Sequence, residues 1–449
     1  MQFRAIIENN KTKIKATWMA DIEWLSAVVI AITIGFWATG KLPEYLVALL
    51  FLAAAACLHL APTNIIFSGF TSEAFWLVLS GFILGFAINK VGLAERIAQH
   101  ISGRFTSSWL KLIIGVVILA YGLAFIMPSN MGRIALLMPI VMAIADKVGL
   151  QSGSRGRIGL ALAVGFGTFQ LSATILPANV PNLVMAGAIE TTYHLKLSYL
   201  NYLFLHMPIL GLIKGSLVVL CIYFLFPAKL QPVAEQKTLP PMSRDEKKLG
   251  IVLAITLLFW ITDTAHGISP AWVGLVAACF CLLPKVGFVT NDEFVKAVNI
   301  RTCIYVAGIL SLATLVSYSN VGMVVGTYLQ KMLPLDPNNP FIDFGSLVGL
   351  TSGLNFVVTA NGVPALYTPL AESLSSATGF PLIAVLMVQV IGYSTPLLPY
   401  QASPIVVAMG MGKVPLMDGI RLCLILFILT FFLLVPLDYF WFKLLGVIP

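Results

Sequence analysis

Charge is what this chain has least of. Asp, Glu, Lys and Arg make up 10 % of its 449 residues, against about 25 % in soluble proteins. Hydrophobic residues make up 59 %, and mean hydropathy is +0.93. That balance excludes a soluble enzyme or binding module, and no polar segment is long enough to bury its own core. Histidine is scarce too. The five His residues show no ligand spacing towards Cys or carboxylates, so no metal cofactor of that kind is expected. The six cysteines (Cys57, Cys221, Cys279, Cys281, Cys303, Cys423) sit mostly inside apolar runs, which points away from disulfide pairs and metal clusters. There is no Gly-Lys-Ser/Thr phosphate loop, so ATP-driven transport by this chain alone is not expected. No small-residue cleavage site follows the first apolar run near Leu25, and no removable leader is expected. The net charge of +8 comes from Lys and Arg in short loops between apolar runs. That is the positive-inside pattern of membrane proteins, and no nucleic-acid partner is expected.

What the chain has instead is apolar runs of membrane-spanning length. Spans are expected at about 22–39, 42–60 and 75–90, with a surface amphipathic helix over "NKVGLAERIAQHISGRF". A short-armed segment follows at 112–145, interrupted at 127–132 by Pro128, Ser129, Asn130, Met131 and Gly132. Each arm is about 22 Å of helix, too short for a hydrocarbon core of about 30 Å, so a re-entrant hairpin is expected. A discontinuous helix at 156–190 restarts near Pro181, and a long span covers 198–226. The hydrophilic stretch 227–248 is the linker between halves. The second half repeats the order: spans at 249–264, 268–284 and 302–318, a hairpin at 341–371, a discontinuous helix at 381–410, and a span at 415–442. "GLAFIMPSNMGRIALLMP" sits against "GLNFVVTANGVPALYTP", and "ILPANVPNLVMAG" against "LLPYQASPIVVAMG".

The expected fold class is therefore an all-α polytopic membrane protein of two repeats, 1–226 and 249–449. Each has about five spans, a re-entrant hairpin and a discontinuous helix. Lys229, Lys237, Arg244, Lys247 and Lys248 place the linker in the cytoplasm, which makes the repeats inverted. Five crossings each would put the N-terminus outside, against the pull of Arg4, Lys11, Lys13 and Lys15.

Interrupted helices at matching positions of two halves point to a transporter's binding site. A break leaves unpaired carbonyls on one arm, suited to a cation. It leaves unpaired N–H groups and a positive dipole end on the other, suited to an anion. Ser129, Asn130, Thr359 and Asn361 can bond carboxylate oxygens or ligate Na+ through oxygen. Asn179, Asn182, Gln401 and Ser403 can close the site from the discontinuous helices; capping without a ligand is the competing role for each. The leading expectation is a secondary transporter of small organic anions in the cell's inner membrane, surrounded by lipid. The alternative is a sodium/proton or other inorganic-ion antiporter, which would want Asp or Glu at the breaks, where none stands. An intramembrane enzyme would need a Ser/His or paired-Asp constellation, and none is present.

With these segments in view, the chain resembles the divalent anion:sodium symporter family over residues 22–442. Tips of that family carry Ser-Asn-Thr; here they read Ser129-Asn130-Met131 and Thr359-Ala360-Asn361-Gly362. Its broken helices carry Pro/Asn-rich loops; here they read Asn179-Val180-Pro181-Asn182 and Gln401-Ala402-Ser403-Pro404. The resemblance implies uptake or exchange of di- and tricarboxylates or sulfate, by an elevator motion of the hairpin-bearing part against a dimeric scaffold. It implies a first sodium site at Ser129, Asn130 and the 178–182 loop, and a second at Thr359, Asn361 and the 400–403 loop. Ala178 and Tyr400 stand near the places of the family's loop glycines.

Two buried-looking cations complete the expectations. Arg133 opens the second arm of the first hairpin, where its charge opposes the helix dipole. It is expected to contact the anion or to supply fixed charge in place of Na+, with snorkelling to water as the competing role. Lys214 lies mid-span in 198–226 and is a candidate tethered cation or proton carrier, or else pairs with a buried carbonyl. His206 is expected to be packed.

Overall fold

The computed structural model describes residues 23–449 apart from 38, 40, 94, 97–104, 128, 232–240 and 320. The four N-terminal cations, most of the expected surface helix at 89–105, Pro128 and the middle of the linker lie outside those residues. Among the described residues all regular structure is helical.

The first helices are α1 (Glu23–Trp37), α2 (Glu44–Cys57) and α3 (Glu73–Val91). An interrupted pair follows, α4 (Trp109–Ala124) and α5 (Asn130–Lys147), then a second, α6 (Arg155–Ser172) and α7 (Val180–Tyr193). The half closes with α8 (Tyr199–Leu225), which widens into a π turn at Met207–Ile213. Beyond the linker come α9 (Arg244–Ile261), α10 (Pro270–Leu282) and α11 (Ile300–Tyr318). A helix α12 (Val321–Met332) stands where none was expected. Then come α13 (Pro340–Val357), α14 (Val363–Thr378), α15 (Leu382–Tyr393) and α16 (Ser403–Met411). The last is α17 (Leu416–Leu444), with a π turn at Thr430–Leu434.

Among the described residues four helices are long and apolar enough to cross a bilayer: α3, α8, α11 and α17. They take third and last place in the two halves. The expected five spans per half are reached only when shorter helices such as α1, α2, α4 and α10 and the interrupted ones are counted. The junction of α14 and α15 bends by 118°.

Breaks fall where the local sequence cannot carry a helix. Ser129 caps α5, its Oγ accepting the N–H of Gly132 at 3.2 Å. Asn179 caps α7 through Asn182 N–H at 3.0 Å, with Pro181 in the first turn, where a missing N–H costs nothing. Pro399 and Pro404 do the same around the α15–α16 break.

Two groups of helices result. α2 packs on α11, α3 on α10, and α9 on α10. In the other group α6 packs on α4, α5, α8 and α16, and α15 on α13. α7 joins the groups by packing on α3 and α11. The innermost elements are α6, buried from Ile158 to Ser172, and α15, buried from Ala384 to Tyr393. α15 and α13 meet so closely that a Cβ on Gly392 would fall 2.0 Å from Thr351 Oγ1. Large apolar side chains such as Leu212, Phe224, Ile251, Val276 and Phe432 face outward, as lipid contact requires.

Two ion pairs tie the last turn of α3 and the residues just after it to the second half. Lys90 meets Glu293 at 2.6 Å, and Arg96 Nε meets Glu246, which also accepts the Ser243 N–H in the capping box of α9. These partners hold both carboxyls down, to about 2. A depressed carboxyl stabilises the fold above its ordinary value near 4.5 and loses that contribution as pH falls towards 2. The thermal midpoint of purified protein should fall through that window, and Glu246→Gln should make the fall shallower. An unchanged slope would remove the pair from the account.

Candidate functional site

A cavity of about 150 Å³ opens between the two helix groups. Ser129, Asn130 and Met131 line it from the start of α5, and Val180 and Leu183 from the start of α7. Asn361, just ahead of α14, and Ser403 and Pro404, at the start of α16, line the other side. Four helix beginnings thus meet at one space, each with unpaired N–H groups and the positive end of its dipole. The opposite wall comes from Glu44, Val78 and Phe82, and from Asn299, Thr302 and Tyr305 around the start of α11.

The side chains there keep donors free. Among the described residues, none hydrogen-bonds the side chains of Asn361 and Ser403. Asn130 uses its Oδ1 to accept Ser172 Oγ–H at 3.1 Å and an Arg133 N–H, leaving its amide NH2 facing the cavity. Asn299 Oδ1 accepts Thr302 N–H at 3.3 Å, which likewise frees its NH2. Amide and hydroxyl donors beside helix starts are the chemistry that holds carboxylate or sulfate oxygens.

The other expected residues stand behind this wall. Arg133 is fully buried and does not line the cavity. Its Nη1 donates to Met127 O, and its Nη2 to Asn130 Oδ1, Ala178 O at 3.1 Å and Thr168 O at 3.4 Å. These oxygens come from the α4 end, the α5 start, the α6 backbone and the α6–α7 break, so the guanidinium lies in the cation-suited half of the first interruption. Snorkelling to water is excluded by that burial. Asn179 is an internal cap, and its Nδ2 donates to Ser172 Oγ at 3.3 Å. Thr359 meets Tyr305. Gln401 is buried; its Oε1 accepts the N–H groups of Leu397 and Leu398, and its carbonyl accepts Ala360 N–H at 2.9 Å. Tyr400 is exposed.

The two breaks are tied together. Asn182 Nδ2 donates to Ala173 O at 3.0 Å and Ile175 O at 2.9 Å, holding the first loop. Its Oδ1 accepts Tyr393 O–H at 2.8 Å, from the last residue of α15. Lys214 closes the second loop, donating to Ser394 O, Ser394 Oγ and Thr395 Oγ1. His206 is buried against Tyr202 and Phe442. Sequence reading missed Glu44, Asn299, Thr302 and Tyr305. Only Asn299-x-x-Thr302, a helix cap after a basic loop, gave a local signal.

Residues 15–448 match the family described as the sodium:sulfate symporter transmembrane region. The chain belongs to this divalent anion:sodium symporter family. It is 25 % identical to the inner membrane protein YbhI of Escherichia coli K12, over 95 % of this chain and 93 % of that protein. It is 26 % identical to the L-tartrate/succinate antiporter of the same strain, over 83 % and 79 %. Among solved structures it resembles the Alcanivorax borkumensis YdaH transporter, with a TM-score of 0.60 and 15 % identity over 95 % of this chain and 98 % of that one. As a family member the protein is a multi-pass inner-membrane transporter, and not an enzyme.

Proposed function

We propose that this transporter moves small dicarboxylate-type anions, the class named by its L-tartrate/succinate antiporter relatives. The observation that carries the reading is the meeting of four helix starts with the free donors of Asn130, Asn361 and Ser403 in one cavity. The solute lies between the breaks, its carboxylates on the N–H ends of α5 and α16. The helix group bearing the breaks moves against the α2, α3 and α11 group in an elevator-type step, in a homodimer. The cavity lies on the seam of those two groups, which supports such a motion.

The family's sodium enters this account as a co-substrate. The first break does not fit it, because Arg133 already holds the oxygens a cation would need. We therefore assign Arg133 as the fixed positive charge of that half. Any sodium binds at the second break, by Thr359, Asn361 and the Tyr400–Gln401 backbone.

Purified protein in liposomes tests the reading, with labelled succinate, L-tartrate, malate, citrate and sulfate offered with and without Na+ and a pH gradient. Exchange of succinate or tartrate against an internal dicarboxylate is expected. Transport of none of the five overturns the proposal.

A further inference from the structure

Lys214 and Asp438 are a buried pair of opposite charge that the transport reading leaves unused. Both are fully buried. Each follows a π turn in the last helix of its half: Met207–Ile213 precedes Lys214 in α8, and Thr430–Leu434 precedes Asp438 in α17. The two π turns pack on one another. Such turns widen a helix and collect at functional places.

The oxygens around Lys214 favour its charged form. Its Nζ lies 3.2 Å from Ser394 O, 3.2 Å from Ser394 Oγ and 2.7 Å from Thr395 Oγ1. Both hydroxyls already donate to Ile391 O, at 3.2 and 2.8 Å. With each hydroxyl hydrogen given to Ile391 O, Lys214 faces three acceptors. Only an ammonium, with three N–H groups, satisfies all three. A positive charge is thus fixed at the carbonyl end of α15, where the helix dipole favours it, at the entry to the break that leads to Ser403.

Asp438 is the opposite case. Both carboxyl oxygens are buried with no hydrogen-bond partner, and no ion pair within 4.0 Å joins it to Lys214. Lys214 nevertheless sits just after the π turn that packs on the one preceding Asp438. Most other titratable groups on the packed elements are engaged; His206 is the exception, packed on Phe442 one turn beyond Asp438. Asp343 of α13 accepts the Asp336 N–H, and Asp418 of α17 pairs with Arg155. Tyr121 of α4 bonds Thr174, and Tyr202 of α8 and Tyr393 of α15 are hydrogen-bonded. His206 of α8 is buried without a partner, and the thiols of Cys221 in α8 and Cys423 in α17 are buried. Tyr439 packs on Phe341 and Phe344, Arg157 of α6 pairs with Asp146, and Lys111, Arg421 and Lys443 are exposed.

We propose that Asp438 is a proton-binding site linked to anion binding through Lys214. Charged, Asp438 offsets the ammonium. When one oxygen takes a proton, from water and with no other bond changed, the ammonium's field is left unopposed at the second break. One bound proton then favours the negative solute, and by reciprocity the solute favours the proton. The inference rests on the anion-site reading above, and its test separates the two.

Infrared difference spectra of the purified, solute-free protein come first. Lowering the pH should raise a protonated-carboxyl band that is absent from Asp438→Asn. Titration calorimetry with succinate and L-tartrate follows. Wild-type affinity should rise as pH falls, by up to about tenfold per pH unit, the limit for one linked proton. Asp438→Asn should hold the tight affinity at every pH, and Lys214→Met the weak one. The ratio of variant to wild type at each pH cancels the titration of the solute and of Glu44. An Asp438→Asn spectrum, or pH slope, equal to wild type overturns the proposal. Binding of neither solute defeats the anion reading instead, and the infrared band still decides the proton site. Should Asp438→Asn misfold, proton uptake on solute binding to wild type, read in buffers of different ionisation enthalpy, replaces it. About one proton per solute is expected, and none overturns the inference.

Discussion

Arg133→Gln is expected to abolish anion uptake in proteoliposomes, because it removes the buried positive charge that stands behind Asn130. The guanidinium reaches Met127 O, Asn130 Oδ1, Thr168 O and Ala178 O from one planar group. Glutamine is shorter, neutral and has one NH2. It leaves unpaired carbonyls at the first break and removes the positive charge behind Asn130. Two controls separate charge from scaffold. Size-exclusion profiles should show folded protein at near wild-type yield. Arg133→Ala should regain part of its uptake in high sodium but not in choline, because vacated carbonyl oxygens are hard-cation ligands. Unchanged uptake by Arg133→Gln would show that the charge is dispensable.

Asn361→Ala is expected to weaken anion binding by about 10- to 100-fold, the loss of one hydrogen bond to a charged partner. Among the described residues nothing hydrogen-bonds its side chain, and it lines the cavity, so thermal stability should hardly change. The matching residue of the other half behaves differently. Asn130 also accepts from Arg133 and Ser172, and Asn130→Ala should lower both binding and the thermal midpoint. Calorimetry and melting curves of the two variants check this. Equal destabilisation by both would mean that Asn361 is structural.

The breaks were legible because they need residues that an apolar helix does not. Asn, Ser, Gly and Pro inside the runs at 127–132, 177–182, 359–364 and 399–404 marked the helix starts to within a few residues. Ser129, Asn130 and Asn361 stand out in the sequence as groups able to bond carboxylate oxygens or ligate Na+, and Ser403 as one able to close the site; all four line the cavity. The far wall was illegible. Glu44 looks like a loop acid, and Tyr305 like one more aromatic in an apolar span, until α2 and α11 pack. Arg133 was visible as an oddity, but its four oxygens come from positions 127, 130, 168 and 178, a set that only folding assembles. The π turns have no local cue beyond Pro208, and Asp438 carried no weight until α8 and α17 met. The helix at 321–332 was missed because its run is amphipathic and short.

The bond from Tyr393 to Asn182 has a mechanical consequence. It joins the first turn of α7 to the last residue of α15, 211 positions apart in the chain. Separating the two would cost that bond, about 1 kcal/mol, so the first turn after one interruption and the last turn before the other are fastened to each other like the two leaves of a clasp.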